Sequence, residues 1–130
     1  MALTPRVVWF VAVGCAAAAV HFAVVVALVT WLGAPPLLAN IGGWMVAFLV
    51  SFTGHRRLTF RAANAPLSRS AMRFFAVSAA GVAVNEAAYA VLLRWSGWGY
   101  AVSLAIVLLG VAVVTYWLSR HWAFLGNPAR

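Results

Sequence analysis

The chain holds one acidic residue in 130, Glu86. It lies inside an apolar run, and so do the polar residues His21 and Asn85. Ionised and facing lipid, a carboxylate costs at least about 2.5–3.5 kcal/mol on insertion scales. Glu86 must therefore face a bundle interior, a water-filled cavity or a subunit contact. Counted from Arg73 it is 13 residues into its run, about 20 Å at 1.5 Å per residue. That depth is past the midplane, toward the outer leaflet. Two roles fit: a station for a polar group or a proton in transit, or a structural Glu86–His21 hydrogen bond between two helices.

A second constellation is basic. "HRRLTF" at 55–60 closes one apolar run, and "SRHWAF" at 119–124 closes another. Guanidinium groups match phosphate oxygens in a bidentate fork. Arg56 and Arg120 could therefore hold a phosphate at the membrane surface. The plainer role for the same residues is topology and anchoring to anionic lipids.

The elements that carry these residues follow from composition. The chain is 66% hydrophobic and 8% charged, with a mean hydropathy of +1.00. A soluble domain of this size needs far more polar surface. Four apolar stretches, approximately 7–32, 37–54, 72–95 and 98–118, reach or approach the roughly 20 helical residues that cross a hydrocarbon core. They are continuous and Ala-rich rather than alternating, which argues against strands. The expected fold is an all-α integral membrane protein with four transmembrane helices in a single domain, 1–130. The longest segment left over, 55–71, is too short for another domain. Cys15 in "AVGC" faintly resembles a lipoprotein cleavage site, but the segment ahead of it is short for a signal sequence. As the single cysteine it forms no internal disulfide.

Arginine placement sets the orientation. Arg6 precedes the first span, Arg56, Arg57, Arg61, Arg69 and Arg73 lie in or beside the central loop, and Arg120 and Arg130 follow the last span. Only Arg94 lies near the opposite face. Both termini and the central loop are expected to be cytoplasmic. The net charge of +8 is confined to membrane flanks, so membrane lipids rather than nucleic acid are the expected partner.

The repeated ending belongs to a larger pattern. A shift of 64 residues superposes Phe10 on Phe74, Trp31 on Trp95, Gly33 on Gly97, Arg56 on Arg120 and Phe60 on Phe124, and 13 of the 51 positions in 10–60 are identical. The pattern reads as two tandem helical hairpins, repeat 1 at about 7–60 and repeat 2 at about 71–124. Two spans per unit make the repeats parallel. Under this shift His21 corresponds to Asn85.

Small residues mark two helix faces. Asn40, Gly43, Ala47, Ser51 and Gly54 share one side of the second span, and Ser78, Gly81, Asn85 and Ala88 one side of the third. Such faces let helices approach closely, and they could also line a narrow groove. Asn40 is the polar exception, expected at the outer end beside "GAPP".

No enzyme emerges from these residues. A single acid, a single Cys and three scattered His give no nucleophile–base pair with an orienting acid and no metal-ligand cluster. No glycine-rich phosphate loop precedes a lysine, and no cofactor is expected.

In order and spacing, "WFVAVG", "LGAPPLLAN", "RFFAVSAAG" and the two endings resemble the GtrA-like family, small four-span membrane proteins of bacterial surface-polysaccharide pathways. The resemblance covers nearly the whole chain. In that family the first span often carries Asp seven residues after its opening Gly; here that position is His21. The resemblance implies translocation of a polyprenyl-phosphate-linked monosaccharide across the bacterial inner membrane. It makes Arg56 and Arg120 candidate phosphate contacts and His21, Asn40, Asn85 and Glu86 candidate contacts for the crossing headgroup. A homo-oligomer is the expected unit, and a membrane or periplasmic glycosyltransferase the expected partner. The competing reading is a non-transporting adaptor for such an enzyme. A small proton-coupled drug exporter is a third, opposed by the absence of an acid in the first span.

Overall fold

The computed structural model describes residues 4–59 and 66–118. They form four helices, α1 (Pro5–Leu32), α2 (Pro36–Gly54), α3 (Leu67–Trp95) and α4 (Tyr100–Leu118), with no strand among them. A π-helical turn, His55–Thr59, carries α2 beyond the expected end at 54. α3 begins five residues before the expected start at 72. Three stretches are long and apolar enough to cross a membrane: Val7–Leu32, Pro36–Leu58 and Leu67–Trp95. The apolar stretch of α4, Tyr100–Val114, is shorter. The chain is a multi-pass helical membrane protein.

Local chemistry sets the helix ends. Pro5 and Pro36 occupy first-turn positions, where a missing N–H costs no helical bond. Gly33 ends α1 with φ +65, and the N–H groups of Gly33 and Ala34 both reach back to Leu28 O, the latter at 3.0 Å, which satisfies a carbonyl at the helix end. Gly97, its partner under the 64-residue shift, also has a positive φ, +70. Beside it, Ser96 Oγ donates to Leu92 O at 2.6 Å and accepts from Trp98 N–H at 3.1 Å.

Each helix packs on the next, and α4 closes back on α1, with the α1–α2 seam the most extensive. Glycine makes that seam close. A Cβ on Gly43 would lie 2.7 Å from Val25 Cγ2 and 2.9 Å from the His21 carbonyl oxygen. One on Gly54 would lie 2.7 Å from Val13 Cγ1. The expected packing role of the α2 small-residue face holds for Gly43, Ala47 and Gly54. It fails on α3, where Gly81 and Ala88 are exposed and Gly81 has no neighbour for an added Cβ within 4 Å. The face α3 buries runs instead through Asn85 and Tyr89.

The core gathers Val25, Ala39, Tyr89, Leu104 and Val107. Its members pair under the 64-residue shift. Val25 and Tyr89, Ala39 and Ser103, Asn40 and Leu104, Gly43 and Val107, and His21 and Asn85 are all buried. Toward the termini the correspondence ends. Val13, Ala17 and Ala47 are buried, while their counterparts Val77, Gly81 and Val111 are exposed.

Candidate polar site within the bundle

Asn40 is the centre of the site. Its side chain is fully buried and its amide joins three helices. His21 Nε2 on α1 donates to Asn40 Oδ1 at 2.7 Å. Asn40 Nδ2 donates to Asn85 Oδ1 at 2.9 Å and to Glu86 Oε2 at 2.5 Å, both on α3. Both amide hydrogens and the amide oxygen are therefore engaged. In this orientation the amide offers an N–H to each of the two oxygens on α3.

Helix geometry explains the convergence. Gly43 lies one turn from Asn40 on the same face and lets α2 come against the His21 backbone, so the Asn40 amide reaches the imidazole. Asn85 and Glu86 are adjacent on α3 and approach Asn40 from the other side. Tyr89 stands one turn further along α3, fully buried, and its hydroxyl donates to the Tyr100 carbonyl at 3.1 Å. Tyr100 Oη also bonds Thr30 Oγ1 at 2.7 Å, tying α4 to α1. Below the network, Trp44 Nε1 donates to Ser78 Oγ at 2.7 Å. Every seam of the four-helix ring thus holds at least one side-chain hydrogen bond.

Four of the candidate residues, His21, Asn40, Asn85 and Glu86, meet in this network. Asn40 keeps its expected place near the start of α2 and bonds His21 from there. One expectation changes. The expected direct Glu86–His21 bond is replaced by a link through Asn40.

The two rim arginines are not brought into this site. Arg56 lies half-buried in the π-helical turn, and Arg120 lies outside the described residues. The neighbouring Arg57 lines a shallow open groove with Leu49, Val50, Thr53, Gly54 and Leu58. Sequence reasoning missed the aromatic packing at this end. Trp44, Phe48 and Phe52, spaced four residues apart on α2, pack against Phe74 and Phe75 of α3 with centroids 5.5–5.8 Å apart. His55 lies between Phe10 and Phe74 at 4.9 and 5.9 Å, and those two phenylalanines are counterparts under the 64-residue shift. The i, i+4, i+8 aromatic spacing was the available signal.

Among the described residues no group of three or more His, Cys, Asp or Glu side chains could hold a metal ion. The fold and its buried polar network define a helical membrane protein with an interior polar site. The family model GtrA/DPMS, transmembrane domain, matches residues 9–124, and the chain belongs to that family. No curated protein and no solved structure matches it.

Proposed function

We propose that the protein carries a polyprenyl-phosphate-linked monosaccharide across the bacterial inner membrane, for synthesis or modification of a surface polysaccharide. Family membership supports the pathway. The observation that supports transport is the buried network holding the only side-chain acid of the chain, because ionisable groups inside a membrane mark substrate, ion and proton routes.

The lipid tail stays in the bilayer, so only phosphate and sugar have to cross. Phosphate oxygens accept hydrogen bonds, and the arginine rim supplies donors. With the Asn40 amide engaged, the network retains His21 Nδ1 and Glu86 Oε1 as acceptors and Asn85 Nδ2 as donor. That set suits sugar hydroxyls and repels phosphate. In this mechanism Arg56 and Arg120 hold the phosphate at the cytoplasmic face. His21, Asn85 and Glu86 replace hydration of the sugar, and Asn40 holds them in place. The arginine bias puts both termini on the cytoplasmic side. A homo-oligomer would enclose the headgroup, and a separate glycosyltransferase would supply the sugar-transfer chemistry.

Reconstitution in liposomes with a polyprenyl-phosphate sugar tests the proposal. The expected result is transbilayer movement above protein-free vesicles, weakened by Arg56→Gln and by Arg120→Gln. A second reading, an adaptor for the glycosyltransferase, is favoured by one observation: Asn40, the centre of the network, is closed to solvent with its amide fully engaged. Movement equal to that in empty vesicles, with retention of the enzyme on the purified protein, would establish the adaptor instead.

A further inference from the structure

We infer that the His21–Asn40–Asn85–Glu86 network is a two-state proton switch, in which Asn40 ties the imidazole tautomer of His21 to the protonation of Glu86. As regulation of transport this rests on the function proposed above. The switch itself rests only on the geometry.

The first state is the one observed. Both Asn40 amide hydrogens face oxygens, Asn85 Oδ1 at 2.9 Å and Glu86 Oε2 at 2.5 Å. The amide oxygen therefore faces His21 Nε2, at 2.7 Å. A carbonyl oxygen has no hydrogen to give, so Nε2 carries the proton and a neutral His21 leaves Nδ1 bare.

Now let Glu86 Oε2 take one proton from water. The new O–H would point at an N–H across 2.5 Å. Placed on Oε1 instead, the proton would meet no acceptor among the described residues and would add no hydrogen bond to the network. Reversal of the Asn40 amide removes the conflict. Its oxygen then accepts from Glu86 O–H and from the Asn85 amide nitrogen, which reverses in turn. Its nitrogen donates to His21 Nε2, which must now be bare. The imidazole loses a proton at Nε2 and gains one at Nδ1, so net uptake is the single proton on Glu86.

Each state has the same three hydrogen bonds. None of the four side chains makes another one among the described residues, so the reversal breaks nothing else. Few other titratable groups face the network. α1 contributes only His21 and α2 none. α3 adds Tyr89, whose hydroxyl is engaged by the Tyr100 carbonyl, and α4 adds Tyr100, whose hydroxyl is on Thr30. Among the described residues no arginine bonds to it; along α3 the nearest is Arg94, eight residues on.

The test uses the full chain in lipid nanodiscs. Infrared spectroscopy follows the carboxylic C=O band of Glu86, identified by its loss in Glu86→Gln. Nitrogen-15 NMR follows the tautomer of His21, assigned by its loss in His21→Asn. The two signals are expected to change at one shared pH midpoint in the wild type. In Asn40→Leu the two midpoints should separate, and in Glu86→Gln the tautomer should no longer follow the wild-type transition. A carboxylic band that forms while His21 keeps its Nε2 proton, or while His21 becomes doubly protonated, would overturn the switch. A shared midpoint in a protein that moves no lipid-linked sugar would uphold the switch and remove only the transport reading.

Discussion

The first helix pair and the second descend from one sequence pattern and are packed differently. In α1–α2 the seam is sealed along its length, by Gly43 against His21 and Val25 and by Gly54 against Val13. In α3–α4 burial reaches the core layer and stops. Val77 and Val111, counterparts of buried Val13 and Ala47, are exposed. The chemistry divides in the same way. Asn40, the centre of the network, has Leu104 as its counterpart, and Gly43 has Val107. The lesson is that a 64-residue repeat can preserve which positions are buried without preserving what those positions do. One copy keeps close packing and the amide hub; the other supplies the acid and a second amide.

Exchanging residues between equivalent positions tests that division. Gly43→Val, which imports the residue of position 107, should be the most damaging. Its Cβ would meet the His21 carbonyl and the Val25 side chain below 3.0 Å, and backbone cannot yield as a flexible side chain does. A loss of about 3 kcal/mol is expected from such overpacking, read as a fall in thermal stability in detergent. Wild-type stability would show that the α1–α2 seam is not close-packed.

Asn40→Leu imports the residue of position 104. It leaves His21 Nε2, Asn85 and Glu86 without their shared partner, so a loss of about 1–3 kcal/mol is expected, together with loss of transport in liposomes. Leu104→Asn should not restore either property. Restoration would mean that the two copies are interchangeable.

Ser103→Ala runs in the other direction, importing the residue of position 39. Ser103 Oγ is fully buried with no hydrogen-bond partner among the described residues, so removing it should stabilise the protein by about 1 kcal/mol. A measured loss would reveal an unseen partner for that hydroxyl. Gly81→Ala, importing the residue of position 17, should have the smallest effect. Its site is open, and only helix propensity changes, by about 0.5–1 kcal/mol in the stabilising direction. A large loss would show that the α3–α4 seam closes as α1–α2 does.

How much of this was legible in the sequence depended on whether the signal was local. Continuous apolar runs located the helices, because span length is fixed by bilayer thickness. Spacing on α2 revealed the Gly43–Ala47–Gly54 face. The same spacing misled on α3, since small residues permit close approach but do not supply a neighbour. The polar residues of the network were all recognisable as polar groups in apolar surroundings. Their connection through Asn40 was not, because it depends on the relative rotation and height of three helices. The three-residue connection 33–35 and the close approach at Gly43 together bring Asn40 level with His21. The aromatic stripe Trp44, Phe48 and Phe52 could have been read from its spacing and was hidden by an abundance of other apolar residues.

The paired turns at Gly33 and Gly97 bear on how the protein is made. Each helix pair carries its own left-handed glycine, so neither needs the other to reverse direction. Synthesis runs from the N-terminus, and α1 and α2 can seal on Gly43 and Gly54 while α3 is still being made. At that moment His21 and Asn40 already have each other as partners across the seam. The Asn40 amide nitrogen is still waiting, and the oxygens that complete it arrive with Asn85 and Glu86. The hub's bonding is thus complete only when the second pair is docked in register against the first.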